Sequence, residues 1–151
     1  MGRKIVRTLA FFLGLAGVLP FVGMAAASWL VPLNWHAAIV HALAVYAALI
    51  VSFLGGVHWG VAFSQPTFAR RHLLWGLASA AMAWGAVLLP WAILSLSAFI
   101  LLLLLSWRVD RLWLANIGLP VKYGVFRTVL TAVAALSLLV AIGSYGRVGI
   151  L

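Results

Sequence analysis

The feature that most constrains this chain is a series of uncharged apolar stretches, at about 8–31, 36–63, 73–89, 91–107 and 124–144, parted by short basic clusters. A helix rises about 1.5 Å per residue, so about 20 apolar residues cross a hydrocarbon core about 30 Å thick with every backbone polar group bonded internally. The expected architecture is therefore all-α: one transmembrane helical domain over residues 1–151, with five spans. The third and fourth stretches, about 17 residues each, sit at the lower limit for crossing and are parted only by Leu89-Pro90-Trp91. They are read as two crossings, with one broken hairpin as the other reading. Only 7% of residues are charged, against about 25% in a soluble domain, so no part of the chain reads as a separate soluble unit.

Charge type excludes several chemistries. Ten Lys and Arg face one acid, Asp110, so two-carboxylate catalysis and hard-metal sites lack their residues. The absence of cysteine removes disulfides, thiol nucleophiles, thiolate zinc and iron–sulfur ligation. No enzymatic activity, cofactor or metal is expected. A net charge of +9 could suggest nucleic acid, but the charges lie between apolar runs rather than along a polar face. They instead obey the positive-inside rule. Arg3, Lys4, Arg7, Arg70, Arg71, Arg108, Arg111, Lys122 and Arg127 fall on one side of a five-span bundle, and Arg147 alone falls on the other. The N-terminus is expected in the cytoplasm and the C-terminus in the periplasm, or in the matrix and intermembrane space of a mitochondrion.

Tryptophan supports the same plan, because indole prefers the headgroup level. Trp29, Trp35 and Trp91 lie at outer ends of the stretches, Trp59, Trp75, Trp107 and Trp113 at inner ends, and Trp84 deeper. Arg3-Lys4, the first apolar run and Ala25-Ala26-Ala27 imitate a secretory signal. That run continues to Val31 without a polar segment, so a retained helix is expected. With no internal repeat evident, an inverted-repeat transporter has no support.

Within the second stretch Ser52, Gly56 and Gly60 recur every fourth residue with Gly55 beside them. Such small residues let helix backbones approach where lipid offers no hydrophobic drive, so the stripe is expected to be a helix seam, either internal or docking a partner. Gly76, Ala80, Ser79 and Ala83, and Ala10, Gly14 and Gly17, offer complementary surfaces. His58 is the most suggestive single residue, since an imidazole inside an apolar span is paired or functional. It reads as a packing histidine, with ligand binding or proton handling as the sharper possibility and Trp59 beside it. Haem ligation is disfavoured because His41 lies about 25 Å along the same helix. His36, His41 and His72 read as interfacial. Tyr46, Ser79, Ser95 and Ser97 are too few for a conducting path. Asp110, between Arg108 and Arg111, is expected to form an interfacial ion pair. The stretch from Arg108 to Ile117, stopped by Gly118-Leu119-Pro120, either extends the fourth span or lies on the inner leaflet. Arg70, Arg71, Arg108 and Arg111 are expected to meet anionic lipid headgroups.

Three segments carry a family resemblance: Leu13-Gly14-Leu15-Ala16-Gly17-Val18-Leu19-Pro20-Phe21, Ser52-Phe53-Leu54-Gly55-Gly56-Val57-His58-Trp59-Gly60, and Phe126-Arg127-Thr128-Val129-Leu130-Thr131. Gly-Gly-Val-His-Trp-Gly is the specific part. The chain resembles the small inner-membrane proteins catalogued as domain of unknown function thirty-four twenty-nine, which include a mitochondrial multi-pass protein of animals. The resemblance implies a multi-pass helical protein of bacterial or mitochondrial inner membranes and assigns no catalytic residue. The many tryptophans are similar in plan to the tryptophan-rich sensory proteins that bind porphyrins and sterols, but the paired prolines of their first loop are absent. Two functions follow as expectations: an accessory, structural or assembly component of a larger inner-membrane complex, or a binding or transport protein for a porphyrin- or lipid-like molecule near His58 and Trp59.

Overall fold

The computed structural model describes residues 2–65, 67, 69–114 and 121–149, with side chains from residue 8 onward and, in the last helix, from residue 124. The Gly118-Leu119-Pro120 stop and the side chains of Arg3, Lys4, Arg7 and Lys122 lie outside these residues. The elements are α1 (Gly2–Ala16), α2 (Leu19–Leu30), α3 (Leu33–Ser64), α4 (Ala69–Val87), α5 (Ala92–Trp113), α6 (Val121–Gly143) and a 3₁₀ turn, Ser144–Val148. Among the described residues, four stretches are long and apolar enough to cross a membrane: Thr8–Leu30, Leu33–Ser64, Ala92–Trp113 and Gly124–Val148. Helix α4, at 19 residues, is diluted by the polar Arg70-Arg71-His72 in its first turn.

Two prolines shape the chain. The first expected span is broken at Gly17-Val18, where Val18 N–H turns back to Leu15 O at 3.0 Å. Pro20 lacks the N–H that a continuous helix needs there, so the break has an identifiable cause. Tyr46 Oη of α3 donates to Gly17 O in this break at 2.8 Å and fixes the kink to the bundle. Pro90 separates α4 from α5, as its position suggested. Helix α5 continues past Trp107 to Trp113, so at least the first part of the Arg108–Ile117 stretch extends the fourth span.

Helix α3 is central, packing on α2, α4 and α5, while α6 closes against α2 and α5. The core alternates small and large side chains. Ala44, Ala47, Ala83, Ala86, Ala134 and Ala141 bring backbones together, and Phe21, Leu43, Leu96, Phe99, Leu103 and Leu138 fill the space between. In lipid this close packing must itself drive association.

Of the glycines expected in the α3 seam, Gly55 is the one that lies in it. Gly55 is buried, and a Cβ there would stand 1.9 Å from Ser79 Oγ and 3.0 Å from Gly76 O. Gly56 and Gly60 are exposed and have nothing within 4 Å of a built Cβ. The inward face is set by Val51, Gly55, His58 and Ala62, with Ser52 half-buried at its edge. Opposite it, Gly76, Ser79 and Ala83 are the buried face of α4. Gly14 packs instead under Phe126 of α6.

At the end of the bundle where α2 stops, Arg147 donates to the carbonyls of Ser28, Trp29 and Val31. It supplies partners to acceptors that a helix C-terminus leaves open. His36, expected at the interface, is buried here, with Nε2 2.7 Å from Ser144 Oγ. The Ser144 hydroxyl donates to Ala141 O at 2.6 Å, so His36 Nε2 carries the proton and donates to it.

Candidate functional site: a buried arginine–aspartate–histidine–histidine chain

At the opposite end, α3, α4, α5 and α6 each contribute one ionisable side chain to a continuous network. His58 is 0% exposed, His72 1%, Asp110 6% and Arg127 7%. Helix periodicity explains how they are placed. His58 follows Gly55 by three residues, and His72 precedes Gly76 by four, so both imidazoles share the faces that form the glycine seam. The close approach at Gly55 and Gly76 brings the two rings together. Asp110 sits on the six residues by which α5 outruns Trp107, and Arg127 lies one turn before Thr131 on the buried stripe of α6.

Arg127 Nε donates to Asp110 Oδ2 at 2.7 Å, and Arg127 Nη1 donates to Thr131 Oγ1. Asp110 Oδ1 lies 3.0 Å from His58 Nε2. His58 Nδ1 in turn lies 2.8 Å from His72 Nδ1. These contacts assign the protons. An ionised carboxylate held by a guanidinium only accepts, so His58 Nε2 must carry a hydrogen. In a neutral His58 the Nδ1 is then an acceptor, and His72 Nδ1–H is the donor. Asp110 thus sets the tautomer of His58, and His58 sets that of His72. Among the described residues, His72 Nε2 makes no hydrogen bond.

Aromatic rings pack against the network. Trp113 lies 6.0 Å from the His58 ring and 5.5 Å from the His72 ring, and Trp75 lies 6.4 Å from His58. The Arg71 guanidinium lies over Trp113 at 5.1 Å, a cation–π distance. Among the described residues, no three His, Asp or Glu side chains gather as a metal would require.

The remaining expected site residues are dispersed. Trp59 is half-exposed and donates through Nε1 to Leu73 O at 3.2 Å, with its ring against Gly76. Arg70, Arg108 and Arg111 are exposed, Arg111 lying over the Trp107 ring at 5.2 Å. A shallow apolar recess of about 330 Å³ between α4 and α5 is lined by Met82, Leu89, Leu101 and Leu105 among others, and neither His58 nor Trp59 reaches it.

Three expectations are corrected by this site. His72 is buried and bonded rather than interfacial, because its ring points into the α3–α4 seam. Asp110 pairs with Arg127 and His58 rather than with Arg108 or Arg111, because its neighbours in sequence point to other sides of α5. Arg127, counted as a charge flanking the membrane, lies within the bundle. One signal could have found the network: with a single acid in the chain, any buried cation has only Asp110 as a carboxylate partner.

The fold and this site define a polytopic helical membrane protein with a buried ion-pair and imidazole chain at one end. The chain belongs to the family described as Protein of unknown function (DUF3429), whose model matches residues 6–143. It is similar to Transmembrane protein 69 of Xenopus tropicalis, 32% identical over 135 residues, a match covering 85% of this chain and 51% of that protein. The chain therefore spans about half the length of this relative. No solved structure matches it.

Proposed function

We propose that the protein is a non-catalytic accessory or assembly component of an inner-membrane complex, whether bacterial or mitochondrial, docking a partner helix on the outer face of α3. The observation that carries this reading is the open glycine pair. Gly56 and Gly60 present bare backbone on the exposed face of α3, where a Cβ built at either would meet nothing within 4 Å, while the opposite face of the helix is buried. Glycine costs helix stability by about 0.8–1.0 kcal/mol relative to alanine, and a four-residue spacing is what close helix approach requires. The polar chemistry at His58 is satisfied within the chain, which favours this role over a ligand pocket at His58 and Trp59.

Cysteine scanning tests the reading in a chain that has no cysteine of its own. Gly56→Cys and Gly60→Cys, expressed in native membranes, should cross-link to one defined membrane partner, while Trp84→Cys on the exposed side of α4 should not. Equal cross-linking at all three positions, or none at Gly56 and Gly60, would sink the docking face.

The accompanying topology has five crossings, α4 included, with the N-terminus inside. Arg70, Arg71, Arg108 and Arg111 then lie at the inner headgroups, and the bilayer rather than nucleic acid is the partner of the basic charge. It is supported by the alternation of helix ends, which puts the His58, His72, Asp110 and Arg127 end on the basic side. A periplasmic reporter fused at the C-terminus should be active, and one fused after Arg71 inactive; the reverse pattern would overturn the assignment.

A further inference from the structure

We propose that the His58–His72 pair is a proton-binding site, taking up one proton per chain and passing it along the imidazoles toward Asp110. This goes beyond the accessory reading and does not depend on it. The geometry carries it in three parts. First, a 2.8 Å contact between two Nδ1 atoms holds one proton between nitrogens of equal chemistry, so that proton can reside on either ring. Second, the far end is anchored: Asp110 Oδ1 accepts from His58 Nε2, and its other oxygen accepts from Arg127 Nε. Third, the near end is unpartnered. His72 Nε2, an acceptor in the neutral pair, has no hydrogen-bond partner among the described residues.

The step balances in protons and charge. A proton bound by His72 Nε2 makes that ring an imidazolium. Its Nδ1 proton then moves to His58 Nδ1, leaving His72 neutral with hydrogen on Nε2, and His58 cationic with hydrogen on both nitrogens. The positive charge has moved from the outer ring to the one that touches the Asp110 carboxylate. No oxidant or co-reactant is needed, and chains of acids and histidines inside membranes are used in this way.

The charges facing the pair come from every packed helix. Asp110 of α5 meets His58 directly, Arg127 of α6 is bonded to Asp110, and Arg71 of α4 lies over Trp113; Thr131 of α6 is a neutral partner of Arg127. Arg108 and Arg111 are exposed. Residues 115–120 and the Lys122 side chain lie outside the described residues.

Trp113 and Trp75 are built-in reporters, since an imidazolium forming about 6 Å from an indole quenches its emission. The purified full chain in lipid nanodiscs is titrated between about pH 5 and pH 8, the range in which histidine changes charge. Tryptophan emission should fall in one reversible step as pH falls. That step should be lost in His72→Gln and lose most of its amplitude in Trp113→Phe. Helical circular dichroism and a single size-exclusion peak establish that each variant is folded. A step that survives His72→Gln, or a folded wild-type protein with no step, would overturn the proposal. Nitrogen-15 NMR of histidine-labelled wild type tests the same site without any substitution. It should show His58 with hydrogen on Nε2 and His72 with hydrogen on Nδ1 at high pH, then one added proton shared by these two rings at low pH. Two histidines titrating independently would be equally fatal to it.

Discussion

Asp110→Leu is expected to be the most damaging single substitution in this protein. It leaves the Arg127 guanidinium, 7% exposed, without its carboxylate, and strands the Nε2–H of His58. Breaking a buried ion pair from one side costs about 3–5 kcal/mol, because the remaining charge keeps its desolvation penalty and loses its compensation. Replacing both charges is a different matter. In Asp110→Leu combined with Arg127→Met no charge is buried, and the stranded His58 donor alone costs about 1–3 kcal/mol. The double variant should therefore be more stable than Asp110→Leu, a strongly non-additive cycle. Thermal unfolding in detergent, followed by loss of the monodisperse peak, measures it. Additive losses, or an Asp110→Leu midpoint no lower than that of Arg108→Ala at the exposed neighbouring position, would show that the network does not hold the helices together.

Gly55→Ala should disrupt the α3–α4 seam, whereas Gly56→Ala should leave it intact. The added methyl at Gly55 would meet Ser79 Oγ at 1.9 Å and the backbone oxygen of Gly76 at 3.0 Å. A hydroxyl can rotate away, but the helix backbone cannot without opening the seam. Overpacking of this kind costs about 1–3 kcal/mol. The same separation would pull His58 from His72, so Gly55→Ala should also weaken the pH-dependent emission step. At Gly56 a methyl meets nothing within 4 Å, and alanine's better helix propensity makes the bundle equally stable or slightly more so. Unfolding midpoints of the two variants, measured side by side, check the difference. Equal destabilisation would return the seam to the Gly56–Gly60 face.

Much of the architecture was legible in the residues because membrane helices are specified locally. Among the described residues, length and apolarity alone mark four stretches able to cross, since a chain in lipid must bond its own backbone. Pro90 marked its turn for the same local reason. The break inside the first span was present in the sequence at Gly17 and Pro20, but apolarity does not register a kink. Hydropathy alone also did not set how far α5 would run past Trp107.

The site was legible only in part. His58 stood out because a polar ring in an apolar run carries a cost wherever it packs. Its partners are 14, 52 and, through Asp110, 69 positions away along the chain, and no local pattern connects residues so far apart. His72 and Arg127 looked like charges at the membrane edge because each lies near the end of an apolar stretch. What the sequence by itself determined is the kind of protein, the positions of the long apolar stretches, and the presence of small residues able to form a seam. The tertiary structure alone decided which glycine faces the neighbouring helix and which cation takes the single carboxylate. Rotation of a helix by one residue, about 100°, leaves hydropathy and charge count unchanged. It completely changes which side chains meet, and here that rotation turned an expected interfacial Asp110 into the centre of a buried chain.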